Sequence, residues 1–294
     1  MSMTQLDPGE ALAEANGLTL CYQSFGAPSD PPILLIMGLG TQMIGWSDEF
    51  CEALAGRGFR VVRFDNRDIG KSSYIAAPPP DIMQIIRGAA RPPYTLDDMA
   101  RDAVGLMDAL RIESAHIVGA SMGGMIAQIL AIQFPARVRT LTSIMSTTGE
   151  RGLPQAKPEV FAAISAPPPL TAEAFIETNV RFAELLRGFA DVGEEADARA
   201  RSTRAAARGL NPAGGARQLA AVIAGGSRKE ALAGVKAPTL VIHGVDDPLV
   251  PVEGGKATAA AIPGAKLILL ERMGHTVPRA LRPTIVDAIA AHAR

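Results

Sequence analysis

The stretch from Ala115 to Gln133 changes character at a single point. Ala115-His116-Ile117-Val118-Gly119-Ala120 is a short apolar run of strand type, and Met122 to Gln133 is an apolar run of helical length. Only Ser121 stands between them, so the chain must pass from strand to helix across one residue. Gly119 and Gly123 flank that serine in the pattern G-x-S-x-G, and their missing side chains leave room for a sharply turned, strained backbone. A strand followed this closely by a helix is half of a βαβ unit, which points to a sheet of parallel strands.

The same alternation runs through most of the chain. Leu18 to Ser24, Ile33 to Met37, Arg60 to Asp65, Val138 to Met145, Pro238 to Gly244 and Ala265 to Leu270 read as further strands. Between them, Asp48 to Gly56, Gly255 to Ile262 and Arg282 to Ala293 read as helices, the last with Pro283 tolerated in its first turn. Thr95-Leu96-Asp97-Asp98 is a capping signature opening a helix to Arg111, along which Met99, Ala103, Leu106, Met107 and Leu110 recur at helical spacing. The fold class is therefore α/β, with a mainly parallel central sheet flanked by helices.

Between Ser146 and Ala237 the alternation stops. Pro154, Pro158, Pro167 to Pro169 and Pro212 break the segment into helix-like pieces, and Phe161, Phe175, Val180, Phe182, Leu185, Leu186 and Phe189 are too many apolar residues for a solvated linker. We read residues 1–145 and 238–294 as a core domain and 146–237 as a helical cap insertion. Either the cap roofs a pocket or it forms a layer packed on the sheet. An insertion after the strand that follows Ser121 emerges at the C-terminal edge of the sheet, where open α/β sheets bind ligands, and this favours the roof.

Composition removes several classes of function. With 29 Lys and Arg against 30 Asp and Glu, and no basic stripe, there is no electrostatic reason to expect nucleic acid or an anionic membrane as partner. Met1 to Glu10 is polar and acidic, and no run reaches the ~18 apolar residues of a membrane span, so a cytoplasmic location is expected. Cys21 and Cys51 are expected to be buried free thiols. Association into a homo-oligomer stays open.

Ser121 needs a base to act as a nucleophile at neutral pH. Of the four histidines, His116 and His243 lie inside strands and His292 on the final helix. His275 follows the last strand in the loop Met273-Gly274-His275-Thr276, free to project across the sheet edge, so it is the candidate base. A carboxylate must hold its tautomer and stabilise the imidazolium. Asp246 and Asp247 both follow a strand, and the residues alone do not separate them, while Glu150 is a weaker candidate. An oxyanion would be met by the backbone N–H of Met122 at the head of its helix. Met37-Gly38-Leu39-Gly40, after another strand, offers the Leu39 N–H as a second donor, or is simply a flexible loop.

These motifs, with Asp65-Asn66-Arg67-Asp68-Ile69-Gly70-Lys71-Ser72, match in order and spacing those of the α/β-hydrolase fold superfamily, which the chain resembles over nearly its whole length. It is similar in particular to carboxylic ester hydrolases of the aclacinomycin methylesterase type, in Met-Gly before the oxyanion turn, Gly45-Trp46-Ser47-Asp48-Glu49-Phe50 and Ser-Met-Gly at the elbow. The resemblance implies Asp247 as the acid, Leu39 and Met122 as amide donors, and a bracing role for Asp65 and Arg67. It implies hydrolysis of a small or medium hydrophobic ester through an acyl-enzyme on Ser121, with water and no metal or organic cofactor. Ser121 excludes the Asp and Cys nucleophiles of dehalogenases, epoxide hydrolases and dienelactone hydrolases. Cofactor-free perhydrolases, C–C bond hydrolases and a silent ligand-binding protein share the pattern. Gly38, Gly40, Trp46, Phe161 and Phe182 are expected to contact substrate, as is Ile82, from a proline-rich insertion at 78–93 expected at the pocket entrance.

Overall fold

The computed structural model describes residues 6–167, 169–188 and 194–294. Eight strands form one sheet: β1 (Glu10–Ala15), β2 (Leu18–Phe25), β3 (Pro32–Ile36), β4 (Arg60–Phe64), β5 (Ala115–Ala120), β6 (Val138–Ile144), β7 (Thr239–Gly244) and β8 (Lys266–Leu270). Their order across the sheet is β1-β2-β4-β3-β5-β6-β7-β8. β2 runs antiparallel to both β1 and β4, and every other pair is parallel.

The helices are α1 (Asp48–Ala55), α2 (Ile82–Ile86), α3 (Leu96–Ala109), α4 (Met122–Gln133), α5 (Pro158–Ile164), α6 (Ala172–Leu186), α7 (Glu194–Arg208), α8 (Pro212–Ala224), α9 (Lys229–Leu232), α10 (Val252–Ala261) and α11 (Arg282–His292). Two apolar cores result, one on each face of the sheet. α3 and α4 cover one face with Met99, Leu106, Ile126 and Leu130, and α1 and α11 cover the other with Phe50, Leu54, Ile285 and Ile289. β5 lies between them with all six residues buried, which explains its unbroken apolar run.

Local signals hold in detail. Thr95 Oγ1 accepts from the Asp98 N–H at 3.2 Å, and Asp98 Oδ2 accepts from the Thr95 N–H at 2.9 Å, the reciprocal pair of a capping box. Cys21 and Cys51 are buried free thiols. β1, with its alternating burial, is an element the sequence reading lacks. It is built of Ala, Leu and Glu, weak strand formers, and owes its conformation to pairing with β2.

Register positions the functional edge. Ile36 pairs with Gly119, Ala120 with Ile144, Ile144 with Ile242, and Gly244 with Leu270. The C-terminal ends of β3, β5, β7 and β8 thus leave the sheet side by side. The loops after them carry Gly38 to Gly40, Ser121, Asp247 and His275. α5 to α9 all fall between β6 and β7. Phe189 and Pro168, two of the residues expected to shape this segment, lie outside the described residues.

Candidate active site

Ser121 stands at φ 56° and ψ −120°, a backbone region that non-glycine residues rarely occupy and that costs of order 1–3 kcal/mol. The turn survives because its neighbours lack side chains. A Cβ on Gly119 would collide with the Gly123 carbonyl, and a Cβ on Gly123 with the Ile36 carbonyl. Strand, elbow and helix therefore pack more closely than any other residue pair would permit.

The Ser121 hydroxyl donates to His275 Nε2 at 2.8 Å. With its proton on Nδ1, His275 donates to Asp247 Oδ2 at 2.7 Å. Asp247 Oδ1 accepts in turn from the N–H groups of Leu249 at 2.9 Å and Val250 at 2.8 Å. The turn that begins at Pro248 thus holds the carboxylate still. Burial alone would push the Asp247 carboxyl up. The charge of His275, the N–H groups of His243 and His275 and the Val250 amide outweigh it and hold that carboxyl well below the usual carboxylate range. His275 and Asp247 are both buried, at 8% and 5% exposure.

The aspartates that sequence left open differ plainly here. Asp247 is buried against His275, whereas Asp246 is exposed. Glu150 pairs with Lys229 at 2.5 Å, away from the histidine. His116 meets Thr140 Oγ1 at 3.0 Å, His243 Nε2 donates to the Val250 carbonyl at 2.8 Å, and His292 donates to the Pro238 carbonyl at 3.1 Å. Gly274 has a purpose other than backbone freedom. A Cβ there would run into the Leu186 carbonyl at the end of α6 and the Gly188 amide, so glycine permits close approach of that chain segment.

A cavity of about 390 Å³ opens over Ser121 and His275. Its walls are mainly apolar and include Gly38, Gly40, Trp46, Phe161 and Phe182, five of the residues proposed to contact substrate, together with Leu39. Phe175 and Val180, two of the apolar residues noted in the 146–237 segment, join them, as do Ile44 and Leu249, which no motif marks. Ile82 is a correction. It does not line the cavity, and neither does any other residue of the 78–93 segment. The proline-rich stretch instead forms α2, whose Asp81 caps it and whose Ile85 is buried, and α2 packs on α8.

Comparison with known proteins agrees with this architecture. The alpha/beta hydrolase fold family matches residues 31–278. The chain belongs to that family. It is 32% identical to the rhodomycin D methylesterase DauP of Streptomyces sp. (strain C5), with 94% of this chain and 95% of that protein covered. It is 31% identical to the rhodomycin D methylesterase DnrP of Streptomyces peucetius at the same coverage. Among solved structures, a hydrolase from Pseudomonas aeruginosa PA01 superposes with a TM-score of 0.73 at 28% identity, covering 98% of this chain and 99% of that one.

Asp65 and Arg67, expected as braces, are both buried. Asp65 accepts from the backbone N–H groups of Met43 at 2.7 Å and Lys71 at 3.0 Å and pairs with Arg208 of α7 at 2.8 Å. Arg67 makes a two-pronged pair with Asp102, each contact 2.6 Å. Sequence reasoning missed Arg208, because an arginine in an Ala- and Arg-rich helix carries no sign of which carboxylate it will meet.

Proposed function

We propose that this chain is a serine carboxylic ester hydrolase acting on small-molecule esters with a hydrophobic acyl group and a small alcohol. The observation that carries the reading is the unbroken chain from Ser121 through His275 to Asp247, at 2.8 and 2.7 Å, beneath a mainly apolar cavity. The named activity of the Streptomyces relatives, methyl ester cleavage, supports it.

In this mechanism Ser121 Oγ attacks the ester carbonyl carbon while His275 Nε2 takes its proton. Asp247, held ionised by its surroundings, stabilises the imidazolium that results. The carbonyl oxygen becomes an oxyanion, which accepts from the N–H groups of Met122 and Leu39. Met122 is the first residue of α4, so its N–H has no acceptor within the helix. Gly38 supports the placement of the neighbouring donor, since a Cβ on it would stand 3.2 Å from Ser121 Cβ. His275 then returns the proton to the alkoxide as the C–O bond breaks, and the alcohol leaves. Water repeats the sequence on the acyl-enzyme, with His275 first base and then acid, to release the acid and restore Ser121.

Residues 146–237 serve as the lid in this reading. α5, α6 and α8 contribute Phe161, Phe175, Phe182 and Leu219 to the cavity wall, while Leu232 of α9 packs in the main core, so the lid is anchored at its C-terminal end. The test is hydrolysis of a series of methyl and p-nitrophenyl esters by the native protein and by Ser121→Ala. We expect turnover by the first and a loss of ~10³-fold or more in the second. Absence of ester cleavage by the native protein, with cleavage of a C–C bond in a vinylogous diketone, would reassign the reaction.

A further inference from the structure

Gln218 of α8 is fully buried and spends its side chain on two backbone groups outside the cap. Its Oε1 accepts from the Gly40 N–H at 2.8 Å, and its Nε2 donates to the Arg67 carbonyl at 2.9 Å. Gly40 adjoins Leu39 in the loop after β3, and Arg67 lies in the loop after β4. One amide therefore ties a cap helix to the loop that faces Ser121.

The same side of the cap is fastened elsewhere as well, beside the Arg208–Asp65 pair. Gln42 Nε2 donates to the carbonyls of Ala205 at 2.8 Å and Gly209 at 2.9 Å at the end of α7. Arg217, next to Gln218 on α8, pairs through both its prongs with Asp68 at 2.8 Å. These two attach the cap to the core. Gln218 differs from them, because the group it holds is the peptide N–H immediately after the proposed oxyanion donor.

We infer that Gln218 is a positioning residue for the oxyanion site: by accepting from the Gly40 N–H it fixes the Leu39–Gly40 peptide plane, and through the Leu39 backbone it limits the orientation of the adjoining Gly38–Leu39 peptide, whose N–H is aimed at the developing charge. This rests on the esterase reading above. The physical basis is that a donor aimed in advance costs no reorganisation when charge develops, whereas a loop with two glycines, Gly38 and Gly40, does not hold one orientation unaided. A buried amide that satisfies both its donor and its acceptor supplies that orientation, and it couples cap placement to the turnover rate.

The test compares Gln218→Met, Gln218→Ala and Gln218→Glu with the native protein and with Arg217→Met. Each is assayed for kcat per active site titrated with a fluorophosphonate, for KM, and for affinity toward a phenylboronic acid, whose tetrahedral adduct on a serine mimics the oxyanion. Loss of the acceptor in the Met and Ala variants should lower kcat ~10- to 100-fold with KM changed by less than about threefold, and boronate affinity should fall in parallel. The Glu variant, whose buried carboxylic acid keeps one oxygen to accept from Gly40 and an O–H to donate to Arg67, should stay within about fivefold of native. Arg217→Met should lower Tm and leave boronate affinity per titrated site unchanged, which separates positioning from cap stability. Met and Ala variants that fold with native kcat and boronate affinity would overturn the inference, as would a Glu variant as impaired as they are. Should Met and Ala not fold, the Glu and Arg217 variants decide it by the same criteria. A native protein that neither cleaves esters nor binds boronate would instead refute the esterase reading.

Discussion

The carbonyl of Leu186, the last residue of α6, accepts a hydrogen bond from the backbone N–H of His275 at 2.7 Å. The end of α6 thus grips the histidine loop at the same place where Gly274 lets the two backbones approach. A Cβ at Gly274 would strike that carbonyl. Gly274→Ala should therefore displace His275 and lower kcat by ~10- to 100-fold, more than it lowers Tm in relative terms; steady-state kinetics beside a thermal melt measure both.

Asp247 and Asp246 are adjacent in sequence and opposite in environment. Asp247→Asn keeps the shape of the side chain but presents an amide to His275 Nδ1, favouring the wrong tautomer, and kcat should fall by ~10³- to 10⁴-fold. Asp246→Asn, at an exposed position, should stay within about twofold. Titration of kcat for the two variants against native checks the ranking.

Specificity should respond to the cavity-lining helices α5 and α6 and not to α2. Phe182→Ala enlarges the cavity wall and should shift the ratio of kcat/KM between short- and long-chain p-nitrophenyl esters by ~10-fold, with Phe161→Ala acting in the same direction. Ile82→Ala, outside the cavity, should leave the ratio unchanged. Relative rates across an ester series measure the contrast.

His116 sets a pH dependence of stability. Burial in β5, together with the charges of Arg139 and His292, pulls its imidazole down from 6.5 to about 4. The unfolded chain therefore binds a proton that the folded chain refuses between those values. The stabilisation is complete above pH 6.5 and is lost progressively as pH falls toward 4. Tm should decline by several degrees across that window, and His116→Gln should flatten part of the decline. His292, whose imidazole is also held low by burial, contributes with the same sign and remains in the variant. Scanning fluorimetry at half-unit pH steps reads the slope.

The two thiols should be inert in the folded protein. Burial pushes both Cys21 and Cys51 up to about 12, and for Cys21 the nearby Asp65 and Glu10 charges add to it. Iodoacetamide at pH 8 should label neither until denaturant is added, as intact-protein mass spectrometry will show.

Which features were legible in the sequence follows from the range of the forces that set them. The strand-elbow-helix at Ser121 is local, built from small residues and apolar runs, and it reads directly. So does the capping box at Thr95 and Asp98, whose partners are three residues apart. His275 was legible because only one of four histidines falls outside a regular element. The residues alone did not separate Asp247 from Asp246, and it was the resemblance to the hydrolases that pointed to Asp247; the fold supplies the physical reason, since only Asp247 is buried against the imidazole. Ile82 misled because an apolar run beside prolines has the same appearance whether it lines an entrance or packs on α8. Gln218 and Arg208 gave no signal, as their partners lie more than a hundred residues away and are backbone groups or buried carboxylates chosen by packing.

The central claim, that Ser121 is the nucleophile activated by His275, is tested most directly by treating the native protein with a fluorophosphonate and locating the adduct by peptide mass spectrometry. The account predicts a single adduct on Ser121 that is absent from Ser121→Ala and forms ~10³-fold or more slowly in His275→Ala. An adduct on another residue, or labelling of Ser121 at an unchanged rate without His275, would contradict it.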